Sequence, residues 1–148
     1  LYYLGRILVR TSRFQSSDRT ITQLKYSGSL RLIRKENASD SIISYQKLVD
    51  YILQNIDDER IERRAADPLL ARIFNPFVFD IMLDEFNNIN RPTKNPPLRS
   101  YDPALQQDLA FIINQLKGSN IIISTRLKLL NEKAKNTIEF LKKEYHLK

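Results

Sequence analysis

The chain has 148 residues, 42% hydrophobic and 28% charged, with 24 Lys/Arg against 17 Asp/Glu for a formal net charge of +7. This is an ordinary globular mix, too apolar for a disordered chain, and no apolar run approaches the roughly 20 residues a bilayer span needs. Cysteine is absent, which excludes disulfides, thiolate metal sites and cysteine nucleophiles together and fits an interior compartment better than a secreted one.

The charge is unevenly laid along the chain. Residues 1–35 hold eight basic groups against Asp18 alone, residues 36–115 hold eight against thirteen acids, and residues 116–148 hold eight against three. A positive, negative, positive layout suggests an arm that meets a polyanion while the middle does something else.

Residues 1–17 contain no acid. Arg6, Arg10 and Arg13 fall on one stripe of a helix, Leu1, Leu4 and Leu8 on another, and Thr11, Ser12, Ser16 and Ser17 add hydroxyls. A basic, hydroxylated, acid-free amphipathic segment has the make-up of a mitochondrial targeting peptide. Arg13-Phe14-Gln15-Ser16-Ser17 also resembles a matrix-protease cleavage pattern. The alternative is a basic amphipathic helix lying on a membrane or an acidic partner.

Next, residues 20–26 and 30–34 flank Ser27-Gly28-Ser29, a pattern compatible with a short β-hairpin. From residue 40 the pattern turns helical: Ile42, Tyr45, Val49, Ile52 and Ile56 recur at 3–4 spacing, followed by a solvated stretch over 57–64. Three Asx-Pro pairs, Asp67-Pro68, Asn75-Pro76 and Asp102-Pro103, predict helix starts. The Asx side chain accepts a free backbone N–H and proline at the first helical position has none to lose. The helices are expected near 68–74, 76–89 and 103–117. The second should bury Val78, Ile81, Met82, Phe86 and Ile89; the third Leu105, Leu109, Ile112, Ile113 and Leu116, with a stop at Gly118. Between them, a Pro/Asn-rich loop at 87–102 carries no periodicity. At the C-terminus Leu127, Leu130, Ala134, Ile138, Leu141 and Tyr145 form a seam of coiled-coil type, and the other faces carry Arg126, Lys128, Lys133, Lys135, Lys142 and Lys143.

These elements predict a mainly α fold: a small helical body of about four to five helices at 36–148, ending in a long C-terminal helix, with an extended basic arm at 1–35. The residues offer little to a catalyst. His146 is the one histidine and stands on a Lys-rich tail, with no second His or Cys to share a metal. The acids Asp57, Asp58, Glu59 and Glu62 lack the spacing and glycine of a calcium loop and read as a helix N-terminal cluster. Asp80, Asp84 and Glu85 read as a solvated helix face. Gly5, Gly28 and Gly118 match neither dinucleotide nor P-loop spacing. No enzyme, cofactor, metal or small-molecule substrate is therefore expected. Basic surface with Tyr2, Tyr3, Phe14 and Tyr26 interspersed remains, and such surface can contact phosphates and stack on unpaired bases.

On residues 1–35 and its overall character, a basic arm on a small body rich in Asn, Ile and Lys, the chain resembles the accessory proteins of a fungal mitochondrial ribosome. The resemblance implies a structural subunit in the mitochondrial matrix, with an arm along rRNA and helices packed on neighbouring ribosomal proteins. Arg6, Arg10, Arg13, Arg19, Lys25, Arg31, Arg34 and Lys35 would then be the phosphate contacts. The alternative is an assembly factor or accessory subunit of an inner-membrane respiratory complex, without a transmembrane segment of its own and with the basic stretches on anionic headgroups.

Overall fold

The computed structural model describes residues 1–10, 14–33 and 35–146, and for Arg31 the backbone only. The fold is mainly helical: α1 (Tyr2–Leu8), α2 (Arg19–Tyr26), a 3-10 turn (Ser29–Leu32), α3 (Glu36–Arg64), α4 (Asp67–Ile73), α5 (Pro76–Asp80) and α6 (Pro103–Tyr145). Two compact units form. Unit 1 comprises Leu1–Ser12 and Asp57–Asn120, and unit 2 comprises Arg13–Ile56 and Ile121–Lys148. Each draws on both sides of residue 35.

The core of unit 1 is Tyr2, Ala66, Leu70, Ile73, Phe74, Met82, Leu105 and Leu109, with Val78, Phe79 and Ile89 packed against it. Tyr2 is 1% exposed. Its ring meets Phe74 edge-on at 5.1 Å and Phe79 at 5.5 Å. Its hydroxyl donates to the Pro97 carbonyl at 2.8 Å and accepts from the Asn75 N–H at 3.0 Å, so the one polar atom of a buried ring is satisfied on both sides. Gly5 lets α1 lie close to α4: a Cβ there would stand 3.0 Å from the Phe74 ring. The loop after α5 is ordered by its own side chains. Arg99 N–H donates to the Ile73 carbonyl and its guanidinium to the Ala71 carbonyl, closing the free C-terminal end of α4.

A charged pair lies within this unit. Glu59 is 5% exposed, is ion-paired to Arg63 one turn on, and Arg63 also donates to the Leu8 carbonyl of α1. Glu62 accepts from the Ser119 hydroxyl at 2.7 Å. The 57–64 stretch is therefore the last two turns of α3 rather than a solvated connector or a helix N-terminus. Helix propensity carries α3 onward from Ile56, and the Glu59–Arg63 spacing places both side chains on the inward face.

In unit 2, α3 and the second part of α6 run antiparallel. Val49, Ile52, Ile56 and Leu130 form its core, with Phe14, Tyr45, Ile123 and Leu127 against it. The polar contacts keep the same register: Arg126 with Asn55 and Tyr51, Thr137 with Ser41 at 2.9 Å, and Glu144 with Lys35. The seam differs from the expected one in its last turns. Leu127, Leu130, Ala134 and Leu141 face inward, but Thr137 is buried at 8% exposure where Ile138 was expected, and Ile138 is 55% exposed. The Ser41 hydroxyl opposite gives Thr137 a partner, so burial there follows the 3–4 heptad step instead of side-chain hydrophobicity.

Four other expectations are corrected. Residues 19–26 form a helix, not the first strand of a hairpin, and no strand occurs among the described residues. A lone two-stranded hairpin is marginal in water, whereas α2 satisfies its backbone locally and places Ile21 and Leu24 on a half-buried side. Gly28 does make the expected turn, at φ 68°. α5 ends at Asp80 instead of reaching 89, because the Asp84 carboxylate collects the N–H groups of Phe86 and Asn88 and turns the chain. The helical register is lost there, and Ile81 and Phe86 end up 76% exposed. α6 passes through Gly118, which lacks the left-handed conformation a helix stop requires, and Ile113 on that helix is 44% exposed. Lastly, Asn75 and Asp102 cap as expected, accepting from Phe77 and Ala104 N–H. Asp67 instead lies inside α4 behind Ala66, with no side-chain cap.

Candidate nucleic-acid interface

The eight basic residues expected to contact phosphate have different surroundings. Arg6, on α1, is half-buried; its guanidinium stands 5.8 Å over the Phe79 ring and its Nε is buried without a hydrogen-bond partner. Arg10 is exposed beyond the end of α1. Arg19 and Lys25, near the two ends of α2, are both exposed. Arg13, Arg34 and the side chain of Arg31 lie outside the described residues. Lys35 is committed: it donates to the Glu144 carboxylate and, at 2.7 Å, to the Glu144 carbonyl, and it lies 5.6 Å over the Tyr145 ring. Arg6 and Arg10 belong to unit 1, and Arg19, Lys25 and Lys35 to unit 2. No single compact unit brings the set together.

Charge does separate between the units. Unit 1 holds ten Lys/Arg and ten Asp/Glu, and unit 2 holds fourteen against seven. The whole net charge of +7 thus belongs to unit 2. Within it, α3 contributes Glu36, Asp40 and Asp50 against Lys47, so the excess comes from residues 13–35 and from α6. Lys128, Lys135, Lys142 and Lys143 of α6 are exposed, whereas Arg126 is spent inside the unit, donating to Asn55 and lying 4.0 Å over the Tyr51 ring. A linear reading assigns phosphate contact to the first 35 residues and places the α6 lysines on the outer faces of the seam without giving them that role. Their sequence signal is their place on the face opposite the seam.

Two carboxylates have lowered pKa values. Asp84 is held down first by the Asn88 N–H, and Glu144 first by its hydrogen bond from Lys35. Both sit in local hydrogen-bond networks, and neither lines the two unit 1 grooves at Tyr3 and at Arg6. Unit 1 has a groove of about 460 Å³ lined in part by Tyr3, Arg91, Pro92 and Lys94, with the Arg91 guanidinium 4.7 Å over the Tyr3 ring. A smaller one of about 300 Å³ lies against Arg6, Asp67, Phe74 and Arg99. Among the described residues no three His, Cys, Asp or Glu side chains come together to hold a metal ion, and no helix is long and apolar enough to cross a membrane. Comparison with protein-family models, with curated proteins and with solved structures gives no match in any of the three.

Proposed function

We propose that the chain is a non-catalytic structural constituent of the mitochondrial ribosome in the matrix, holding rRNA phosphates through basic side chains and neighbouring proteins through its helices. The observation that carries the reading is the confinement of the whole net charge to one compact unit. A positive unit attached to a neutral one suits a protein that meets a polyanion with one part and other proteins with the other. Exposed apolar side chains on the neutral unit, among them Phe77, Ile81 and Phe86, support the second half of this reading. The test is sedimentation of a mitochondrial lysate: the protein should travel with ribosomal particles and leave them on RNase treatment.

An accessory subunit of an inner-membrane respiratory complex is the second reading. It is favoured by residues 1–10, an acid-free segment where Leu1 and Leu4 are 68% and 67% exposed and Arg10 is exposed too. That arrangement suits an interfacial helix on anionic lipid. It predicts recovery with membranes, unchanged by RNase.

A further inference from the structure

We propose that the outward face of α6 in unit 2 is a phosphate-backbone-binding face for RNA, with Lys128, Lys135 and Lys142 as its contacts. The proposal deepens the nucleic-acid reading and rests on it for the class of partner. The three residues recur every seven positions, so on a helix they lie along one line, about 10.5 Å apart and about 21 Å from first to last. That line is opposite the seam of Leu127, Leu130 and Thr137, and all three side chains are exposed. Among the described residues none of them is ion-paired.

Several features select the occupant. The outward positive charges are all lysines, because Arg126 is engaged with Asn55 and Tyr51. Lysine binds phosphate as a flexible point charge without a fixed approach geometry, so it can meet repeated phosphates along a backbone. A membrane surface fits poorly. An interfacial helix inserts a continuous apolar face, whereas here that face is packed on α3, and the exposed Leu129 and Ile138 stand on opposite flanks of the lysine line by helical phase. Glu132 and Glu139 interrupt the line, so phosphate is met at separate points instead of along a uniform strip.

The experiment measures binding of the full chain to a fluorescent 30-nucleotide polyuridylate across a salt series, for wild type and for K128A/K135A/K142A. Each phosphate contact contributes about 0.7 to the slope of log K against log salt on single-stranded nucleic acid. The triple variant should therefore lose about 2 from the slope and bind about 100-fold more weakly at 0.1 M salt. Exposed Lys→Ala changes suit a helix, and unchanged circular dichroism verifies the fold. A charge-matched variant in unit 1, R64A/R72A/K117A, should keep the wild-type slope. An unaltered slope in the α6 variant, or an equal loss in the unit 1 variant, overturns the assignment. So does loss of binding to phosphatidylserine vesicles with RNA binding intact. RNA binding that depends on these lysines in a protein that does not sediment with ribosomes leaves the face standing and removes only the ribosomal placement. A wild-type chain that binds no RNA removes both.

Discussion

Replacing Tyr2 tests whether the first helix is part of the folded body or an appendage held by charge. In Tyr2→Phe the ring keeps its edge contacts with Phe74 and Phe79, but the Pro97 carbonyl and the Asn75 N–H lose their partner. Leaving a buried group unsatisfied costs about 1–3 kcal/mol, so Tyr2→Phe should destabilise unit 1 by about 2 kcal/mol. Tyr2→Ala also empties a site that is 1% exposed, and large-to-small changes of an aromatic cost about 3–5 kcal/mol. The readout is amide hydrogen exchange of Leu70, Ile73 and Phe74, which reports the opening of unit 1 specifically. Protection should fall about 30-fold in the Phe variant and by about another two orders of magnitude in the Ala variant. Changes below about threefold in both variants, or a loss that vanishes in 0.5 M salt, would refute the core assignment.

Gly118→Ala should stabilise the protein by about 1 kcal/mol, because α6 is helical there and nothing lies within 4 Å of the added Cβ; urea unfolding at 222 nm measures it. Arg63→Met leaves Glu59 buried without its partner and should cost about 3–5 kcal/mol, with much of that restored in the Glu59→Leu/Arg63→Met double variant. A double variant as unstable as the single would count against the pairing. At the C-terminus, Glu144 has a folded pKa below its ordinary value of 4.5, first through its hydrogen bond from Lys35. The contact therefore stabilises above that pH and fades as pH falls below it. Amide protection factors at residues 140–145, taken relative to the slower intrinsic exchange at low pH, should fall on acidification toward pH 3 in wild type, and to a smaller degree in Lys35→Met, where the contact is already gone.

The class of fold was readable from residue spacing, since apolar residues at 3–4 intervals mark α3 and α6 without reference to neighbours. Caps were readable where an Asx side chain acts on its own next turn, as at Asn75 and Asp102. Features that depend on distant partners were not. Gly118 has the residue type of a helix stop, but its cost of about 1 kcal/mol is outweighed by burial of Leu116 before it and Leu130 after it. Thr137 is buried because Ser41, far along the chain, offers a hydroxyl. The basic site was the least legible part. A window along the sequence adds Arg6 to Lys35, whereas the structure places Arg6 on an aromatic ring and Lys35 on a carboxylate. It leaves exposed lysines on α6 that have no ion-pair partner among the described residues, and the same window counts them as a separate tail.

The interleaving of the two units has a consequence for how the chain is made. Tyr2 closes its hydrogen bond with Pro97 across 95 residues, and Lys35 reaches Glu144 across 109. Such closures come late, because the entropy of a long loop must be overcome before the contact is gained. During synthesis, Val49, Ile52, Leu70 and Ile73 leave the ribosome before Leu105, Leu109 or Leu130 exists to cover them. The nascent chain therefore carries both apolar surfaces open while residues 74–104 are made, a substrate for holding chaperones. Severing the backbone between Ile56 and Asp57 would divide the unit 2 core between the fragments and leave the unit 1 core lacking Tyr2, so unit 2 should regain structure only when the halves are mixed.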